Sequence, residues 1–346
     1  MILRPVVAAF ALSVSACQSG GSPETARFEG ETMGTTYLVQ IADALSQSDR
    51  IAVTRVVHET LDDVDRKLST YVPESEVSRF NRAPAATPFR LSTESFEVFE
   101  EAARISELTG GAFDITVAPL VRLWGFGAGA SERESIPGDD AVAAARRVVG
   151  FHHLSLSDDP PSVTKDLDGL ECDLSAIAKG YAVDLVAELL AKRGWNNFMV
   201  EVGGEVRTSG KNASGSAWRI GIEKPLPGVR ELQRIVSLSG LSLATSGDYR
   251  NFYEDNGEIY SHLIDPRQAR PVAHELASVS VVDLTCMRAD ALASGLLVLG
   301  PEAGFELAVE EDLAVLFLIR TEEGGIEERA TPSFDDLFGD GARMGS

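Results

Sequence analysis

The chain has 346 residues, of which 44% are hydrophobic, and a formal net charge of -22 at pH 7. That is enough apolar material for one large domain or two intimate lobes around a substantial core. The acidic balance excludes a nucleic-acid surface and a polybasic membrane patch. Any phosphorylated ligand would have to be screened locally by fixed Lys or Arg side chains, a helix N-terminus or a divalent cation.

At the N-terminus, Arg4 precedes an apolar run from Val6 to Val14 that is too short to span a bilayer, followed by the small-residue cleavage pattern Val14-Ser15-Ala16-Cys17. We read residues 1–16 as a signal peptide, Cys17 as the lipidated residue of a bacterial lipobox, and residues 17–27 as the lipidated Cys and a flexible tether. The expectation is an exported globular domain at residues 28–332, facing an oxidising compartment, with a peripheral tail at 333–346. Cys172 and Cys286 fit neither a zinc spacing nor a Cys-x-x-Cys motif, so two small buried thiols are expected, with a disulfide as the alternative.

Along the chain, Thr36 to Ile41 reads as a strand, and Val53, Val57, Leu61, Val64 and Leu68 mark one helical face. Phe96, Phe99, Ala103 and Leu108 mark a second helix ending at Gly110-Gly111. A third carries Ile177, Tyr181, Leu185 and Leu189, with Ser175 as cap and Gly194 as stop. Further strands are expected at 198–202, 218–222, 235–238, 241–244, 277–282 and 313–319. Several follow one another without helical crossovers, so the class is α+β with largely antiparallel sheets flanked by helices.

Gly111 to Leu120, continuing to Leu123-Trp124-Gly125-Phe126-Gly127, combines a lone carboxylate at Asp114 with Pro119 and flexible glycines among core-type residues. It reads as the wall of a ligand site or as a buried irregular turn, with Pro119 ending any helix nearby. Gly-Phe-Gly-Ala-Gly at 125–129 lacks the flanking strand and helix of a dinucleotide loop. Neither a P-loop nor a Gly-x-Ser-x-Gly elbow is present.

Two polar constellations remain. Asp173 to Tyr181 places a carboxylate, turn carbonyls and Lys179 at a helix start, an arrangement that can hold phosphate and metal or can merely cap the helix beside a solvated Lys. Thr245 to Arg250 is followed by His262, Asp265 and Pro266, then by Asp290 and Ser294. The last two stand four apart, so one helix face offers a carboxylate and a hydroxyl as oxygen ligands for Mg²⁺. His262 reads either as a structural histidine or as a base near the metal.

Taken in order, Thr32 to Tyr37, Ser69-Thr70-Tyr71, Ser75 to Asn81, Gly111 to Gly127, Asp173 to Asp184, Val202-Gly203-Gly204, Ala244 to Arg250, His262 to Pro271 and Ala289 to Gly300 resemble the ApbE family of FAD:protein FMN transferases, over roughly Phe28 to Ile319. The resemblance implies an ApbE-like, T-fold-related two-lobed domain that binds FAD with Mg²⁺, moves FMN to a Ser or Thr hydroxyl of an acceptor protein and releases AMP. It assigns Met33, Tyr71, Ala112, Phe113, Asp114, Asp173, Lys179 and Ile264 to the flavin-nucleotide site. The Ala176 carbonyl, Asp290 and Ser294 are assigned to the metal, and His262, with Asp290, to catalysis. It further implies a periplasmic, lipid-anchored protein whose acceptors are subunits of membrane redox complexes.

Two positions depart from the family pattern: Ser294 stands where Thr is common, and Ala269 stands where Gly is usual, which strains the loop if its φ is positive. A Mg²⁺-dependent FAD pyrophosphatase and a non-catalytic flavin-binding lipoprotein are the alternative functions.

Overall fold

The computed structural model describes residues 25–129, 136–226, 231–249, 252–255 and 258–339. The signal peptide, Cys17, most of the tether, Arg250 and the last residues of the tail lie outside the described residues. Strand β1 (Ala26–Thr32) pairs antiparallel with β2 (Thr35–Ile41) through the two-residue turn Met33-Gly34. Both turn residues have positive φ, 48° and 72°, as a type I′ hairpin demands. The ordered fold therefore takes in Ala26 and Arg27, two residues read above as tether.

Helix α1 (Gln47–Leu68) opens with a Ser46–Asp49 capping box, and all five of its expected apolar positions are buried. Then come α2 (Glu76–Arg82), β3 (Phe89–Arg90), α3 (Thr93–Leu108), α4 (Ala118–Leu123), α5 (Asp139–Arg146), β4 (Leu154–Asp158) and β5 (Pro161–Lys165). The face α3 buries holds Ser95, Val98, Phe99, Ala102 and Ile105, whereas Phe96, Ala103 and Leu108 are only partly covered. Pro119 does not end a helix but sits in the first turn of α4, where its missing N–H costs nothing.

Helix α6 (Ala178–Lys192) leads into the hairpin β6 (Phe198–Val202) and β7 (Glu205–Ser209), followed by a separate hairpin, β8 (Trp218–Glu223) and β9 (Leu232–Leu238). Ser175 lies in the turn before α6 and does not cap it, while Gly194, at φ 88°, follows its end. The remaining elements are β10 (Ser242–Gly247), β11 (Phe252–Asp255), β12 (Glu258–Ser261), β13 (Ile264–Asp265), β14 (Arg270–Pro271), β15 (Leu276–Asp283), α7 (Cys286–Leu299), α8 (Ala303–Glu310), β16 (Ala314–Arg320), β17 (Ile326–Ala330) and α9 (Pro332–Phe338).

Among the described residues the main sheet has eight strands in the order β1-β2-β6-β7-β10-β15-β16-β17, with every neighbouring pair antiparallel. Strand β16 shows how the sheet serves two cores. Val315 and Phe317 join the cluster under α6 and α7, while Leu316 and Leu318 join a second cluster with β8, β9 and α9, as period-two alternation requires. Phe334 of α9 is fully buried in that second cluster, so the segment read as a peripheral tail begins with a packed helix.

One irregularity of the sheet creates the site. Strand β10 pairs with β15 over its whole length but with β7 only at Ser242↔Arg207 and Leu243↔Val206. Beyond those rungs the β6–β7 turn ends, and β10 runs on past it.

Candidate functional site

At that break lies a cavity of about 410 Å³. The loop from Ala112 to Val117 and Phe126-Gly127 form one wall, and Asp173, Ser175, Ala176 and Lys179 from the α6 entry form another. Gly203 and Glu205, Thr245 to Gly247, His262 to Ile264, and Asp290 and Ser294 of α7 complete it, with Tyr71 at the rim. The structure thus brings together every expected site residue except Met33, which packs against the main core from its hairpin turn, and Cys17, which lies outside the described residues. A smaller adjoining pocket of about 180 Å³ shares Val121, Phe126, Gly127 and Asp173 and extends toward Asn81 and Arg122.

The first wall is rigid because its polar groups are committed internally. Asp114 Oδ1 accepts from the Thr116 N–H and hydroxyl at 2.8 and 2.7 Å, and Oδ2 accepts from the Phe151 N–H at 2.8 Å. Burial raises the pKa of this carboxyl, while the hydrogen bonds from Thr116 and Phe151 act in the opposite direction. Asp114 therefore shapes the wall. Behind it, Phe126 meets both Tyr253 and His262, Tyr253 stacks on Tyr260, and Tyr260 stacks on Trp124. Trp124 Nε1 donates to the Ala269 carbonyl at 3.0 Å. Ala269 has φ 58°, so the loop following His262 does require the left-handed conformation that glycine tolerates best.

Two residues outside the larger cavity, the partly buried Asn81 and the buried Lys165, set the position of Asp173. Asn81 brackets Cys172, donating to its carbonyl at 2.9 Å and accepting from its N–H at 2.7 Å. The Lys165 ammonium, 1% exposed, donates to the carbonyls of Asn81 and Leu170. Asp173 Oδ1 then accepts from the Ser175 N–H at 2.9 Å, closing the turn into α6. Cys172 and Cys286 are both buried free thiols.

Helices α6 and α7 cross in close contact at Gly180. A Cβ there would lie 2.3 Å from the Cys286 carbonyl oxygen, so only glycine fits. The Gly180 N–H donates to Asp290 Oδ2 at 2.9 Å instead of reaching back to the Ala176 carbonyl, which leaves that carbonyl outside the helical ladder. Helix α7 has no side-chain cap of its own. Asp184 of α6 substitutes, accepting from the Cys286 and Met287 N–H groups at 2.9 Å each and from Arg207 at 2.7 Å. Asp290 and Ser294 are 3% and 7% exposed, and the Ser294 hydroxyl lies 2.8 Å from that of Ser246.

Lys179 is not a solvated lysine. Its ammonium lies 2.6 Å from Glu205 Oε1 and 3.8 Å from Asp290 Oδ1. Burial alone would lower its pKa, but the two carboxylates outweigh burial and raise it. Glu205 is pushed up to about 7, first by burial and then by the neighbouring Asp290 charge, against the opposing pull of Lys179. Asp290 is raised by burial. The asymmetry follows from one cation shared by two anions: the cation gains from both, while each anion is also repelled by the other.

Motif reasoning had not assigned a role to Glu205, Ser246, Asp184, Lys165 or Asn81. Of these, Asn81, Asp184 and Ser246 lie inside motifs quoted above and Glu205 immediately follows Val202-Gly203-Gly204, whereas Lys165 lies in none of them.

The fold and site define a class: an α+β protein with antiparallel sheets and a cavity at a sheet break, edged by a buried carboxylate–ammonium cluster and a set of hard oxygen donors. The ApbE family model matches residues 33–317, and the chain belongs to that family. It is 42% identical over 311 residues to the FAD:protein FMN transferase of Vibrio cholerae, covering 90% of this chain and 92% of that one. It is 40% identical over 334 residues to the enzyme of the same description from Haemophilus influenzae, covering 94% and 95%. The solved structure of flavin transferase ApbE from Vibrio cholerae superposes with a TM-score of 0.84 at 41% identity, over 91% of this chain and 99% of that one. The apo flavinyl transferase ApbE of Pseudomonas stutzeri gives 0.83 at 38% identity, over 92% and 98%.

Proposed function

We propose that this protein is an FAD:protein FMN transferase that moves the FMN half of FAD to a Ser or Thr hydroxyl of an acceptor protein and releases AMP. The observation that carries this reading is the convergence in one cavity of an ammonium, a buried carboxylate, a hydroxyl and a backbone carbonyl released from its helix. Carbonyl, carboxylate and hydroxyl oxygens are the donor types that Mg²⁺ takes, so Ala176, Asp290 and Ser294 fit it. When bound, the ion neutralises phosphoryl charge and helps align the incoming and departing oxygens.

The chain's own groups supply the rest. Tyr71, Ala112, Phe113, Asp173 and Ile264 enclose the flavin nucleotide, Asp114 holds its wall, and Lys179 offers a point charge to the phosphates. His262 takes the proton from the acceptor hydroxyl as its oxygen bonds to the flavin-side phosphorus. The pyrophosphate P–O bond breaks, and its electron pair leaves with AMP. Such a base contributes about 10²–10⁴-fold in rate. A hydroxyl on an accessible, extended segment suits a cavity that opens at a strand edge.

The chain's start, with Cys17 as the lipidated residue, supports a lipid-anchored protein on the periplasmic side of a bacterial membrane, with acceptors among subunits of membrane redox complexes. Incubation with FAD, Mg²⁺ and such an acceptor tests the activity. A covalent fluorescent flavin adduct is expected on the acceptor, whereas free FMN and AMP without any adduct would overturn transfer in favour of hydrolysis.

A further inference from the structure

We propose that Glu205 is a positioning residue that holds the Lys179 ammonium away from Asp290, keeping that carboxylate open to a divalent cation. This rests on the metal reading above and adds a part for a residue outside the flavin and metal sets.

Three elements meet here: Lys179 in the first turn of α6, Glu205 at the start of β7, and Asp290 in α7. One oxygen of Asp290 is already committed to the Gly180 N–H, and the other faces Lys179 at 3.8 Å, beyond a hydrogen bond. The ammonium has instead closed on Glu205 at 2.6 Å. Glu205 is 2% exposed, and its other oxygen, Oε2, has no hydrogen-bond partner among the described residues, so the ammonium is the charged partner this side chain meets there.

The turn before β7 also guides the lysine. Gly203 has φ 62°, and a Cβ there would stand 3.2 Å from Lys179 Cδ, so the absence of a side chain lets the lysine stem pass toward Glu205. Without Glu205, the nearest anion left to the ammonium is Asp290. An ammonium paired there would take the ligand oxygen and repel an incoming cation.

The test is a double-mutant cycle read by calorimetric titration of Mg²⁺ into the full chain at pH 8, without FAD. Its members are the wild type, Glu205→Gln, Lys179→Met and the double variant, with Asp290→Ala as control and thermal melts to verify folding. Glu205→Gln is expected to weaken Mg²⁺ about 10-fold; Lys179→Met should change the wild type by about 3-fold or less but restore about 10-fold in the Gln background, a strongly non-additive cycle. A general loss of negative charge would give an additive cycle, and additivity overturns the proposal. Glu205→Asp keeps the charge on a shorter arm and carries the test if the Gln variant fails to fold: about 3-fold weaker Mg²⁺ binding is expected, and unchanged affinity overturns the proposal. Wild type that binds no Mg²⁺, or binding that survives Asp290→Ala, overturns the metal reading and this proposal with it.

Discussion

At the scale of single residues, the site depends on a few groups whose partners are already fixed. Asp290 has one oxygen on a backbone N–H and the other facing the cavity, so Asp290→Ala removes the proposed metal ligand while leaving the Gly180 N–H unpaired in a buried position. Turnover should fall to background, and Mg²⁺ should no longer tighten FAD binding, as fluorescence titration would show; full activity would exclude Asp290 as a ligand. His262→Ala, by contrast, should leave FAD affinity within about threefold while slowing transfer about 10²-fold or more in single-turnover assays. Ala269 sets two effects against each other. Glycine would relieve roughly 1–2 kcal/mol of left-handed strain. It would lose about 0.8 kcal/mol for a buried methyl and roughly 0.5–1 kcal/mol of chain entropy. Ala269→Gly should therefore shift stability by about 1 kcal/mol or less, measured as a denaturant midpoint.

At the scale of elements, the contact between α6 and α7 is what assembles the polar cluster. Gly180→Ala would drive a methyl into the Cys286 backbone, which cannot move aside as a flexible side chain could. A loss of roughly 3 kcal/mol is expected, together with weaker Mg²⁺ binding, because Asp290 is held from the same residue. Asp184→Asn tests the cap supplied in trans: an amide oxygen cannot replace both carboxylate oxygens on two N–H groups and Arg207, so about 1–3 kcal/mol should be lost in thermal or chemical melts. The sequence had shown the buried face of α1 correctly because that helix has one wet face. It misplaced the buried faces of α3 and α6, since α6 packs against α1, α7 and the sheet and its apolar stripe is no longer one-sided.

At the scale of the whole molecule, burial of acidic groups in an acidic chain gives a testable pH dependence. Asp114, Asp184 and Glu205 each have native pKa values raised above their ordinary ones, in each case first by burial. The native state therefore binds their protons more tightly than the unfolded chain does, and stability declines as pH rises through the interval between the two values. For Glu205 that interval ends at about 7. Metal-free protein should become more stable as pH falls from 8 toward 5, and Glu205→Gln should flatten the trend by at most about 1.4 kcal/mol per pH unit in guanidinium melts. A flat wild-type profile would contradict the burial argument.

The sequence by itself determined the α+β class, the six strands expected from 198 to 319 to within about three residues, the family and most of the cavity lining, but it passed over β7, the short strands β11 to β14 and β17. These are set by local periodicity, by turn residues and by side chains whose chemistry is legible one at a time. Tertiary structure alone decided that Lys179 is paired, that Asp184 caps a helix about a hundred residues away, that Lys165 and Asn81 fix the turn at Asp173, and that Glu205 belongs to the site. The physical reason is that an ion pair or a cap depends on distance and burial. Both arise only when strands and helices distant in sequence close over one another at the gap between β7 and β10.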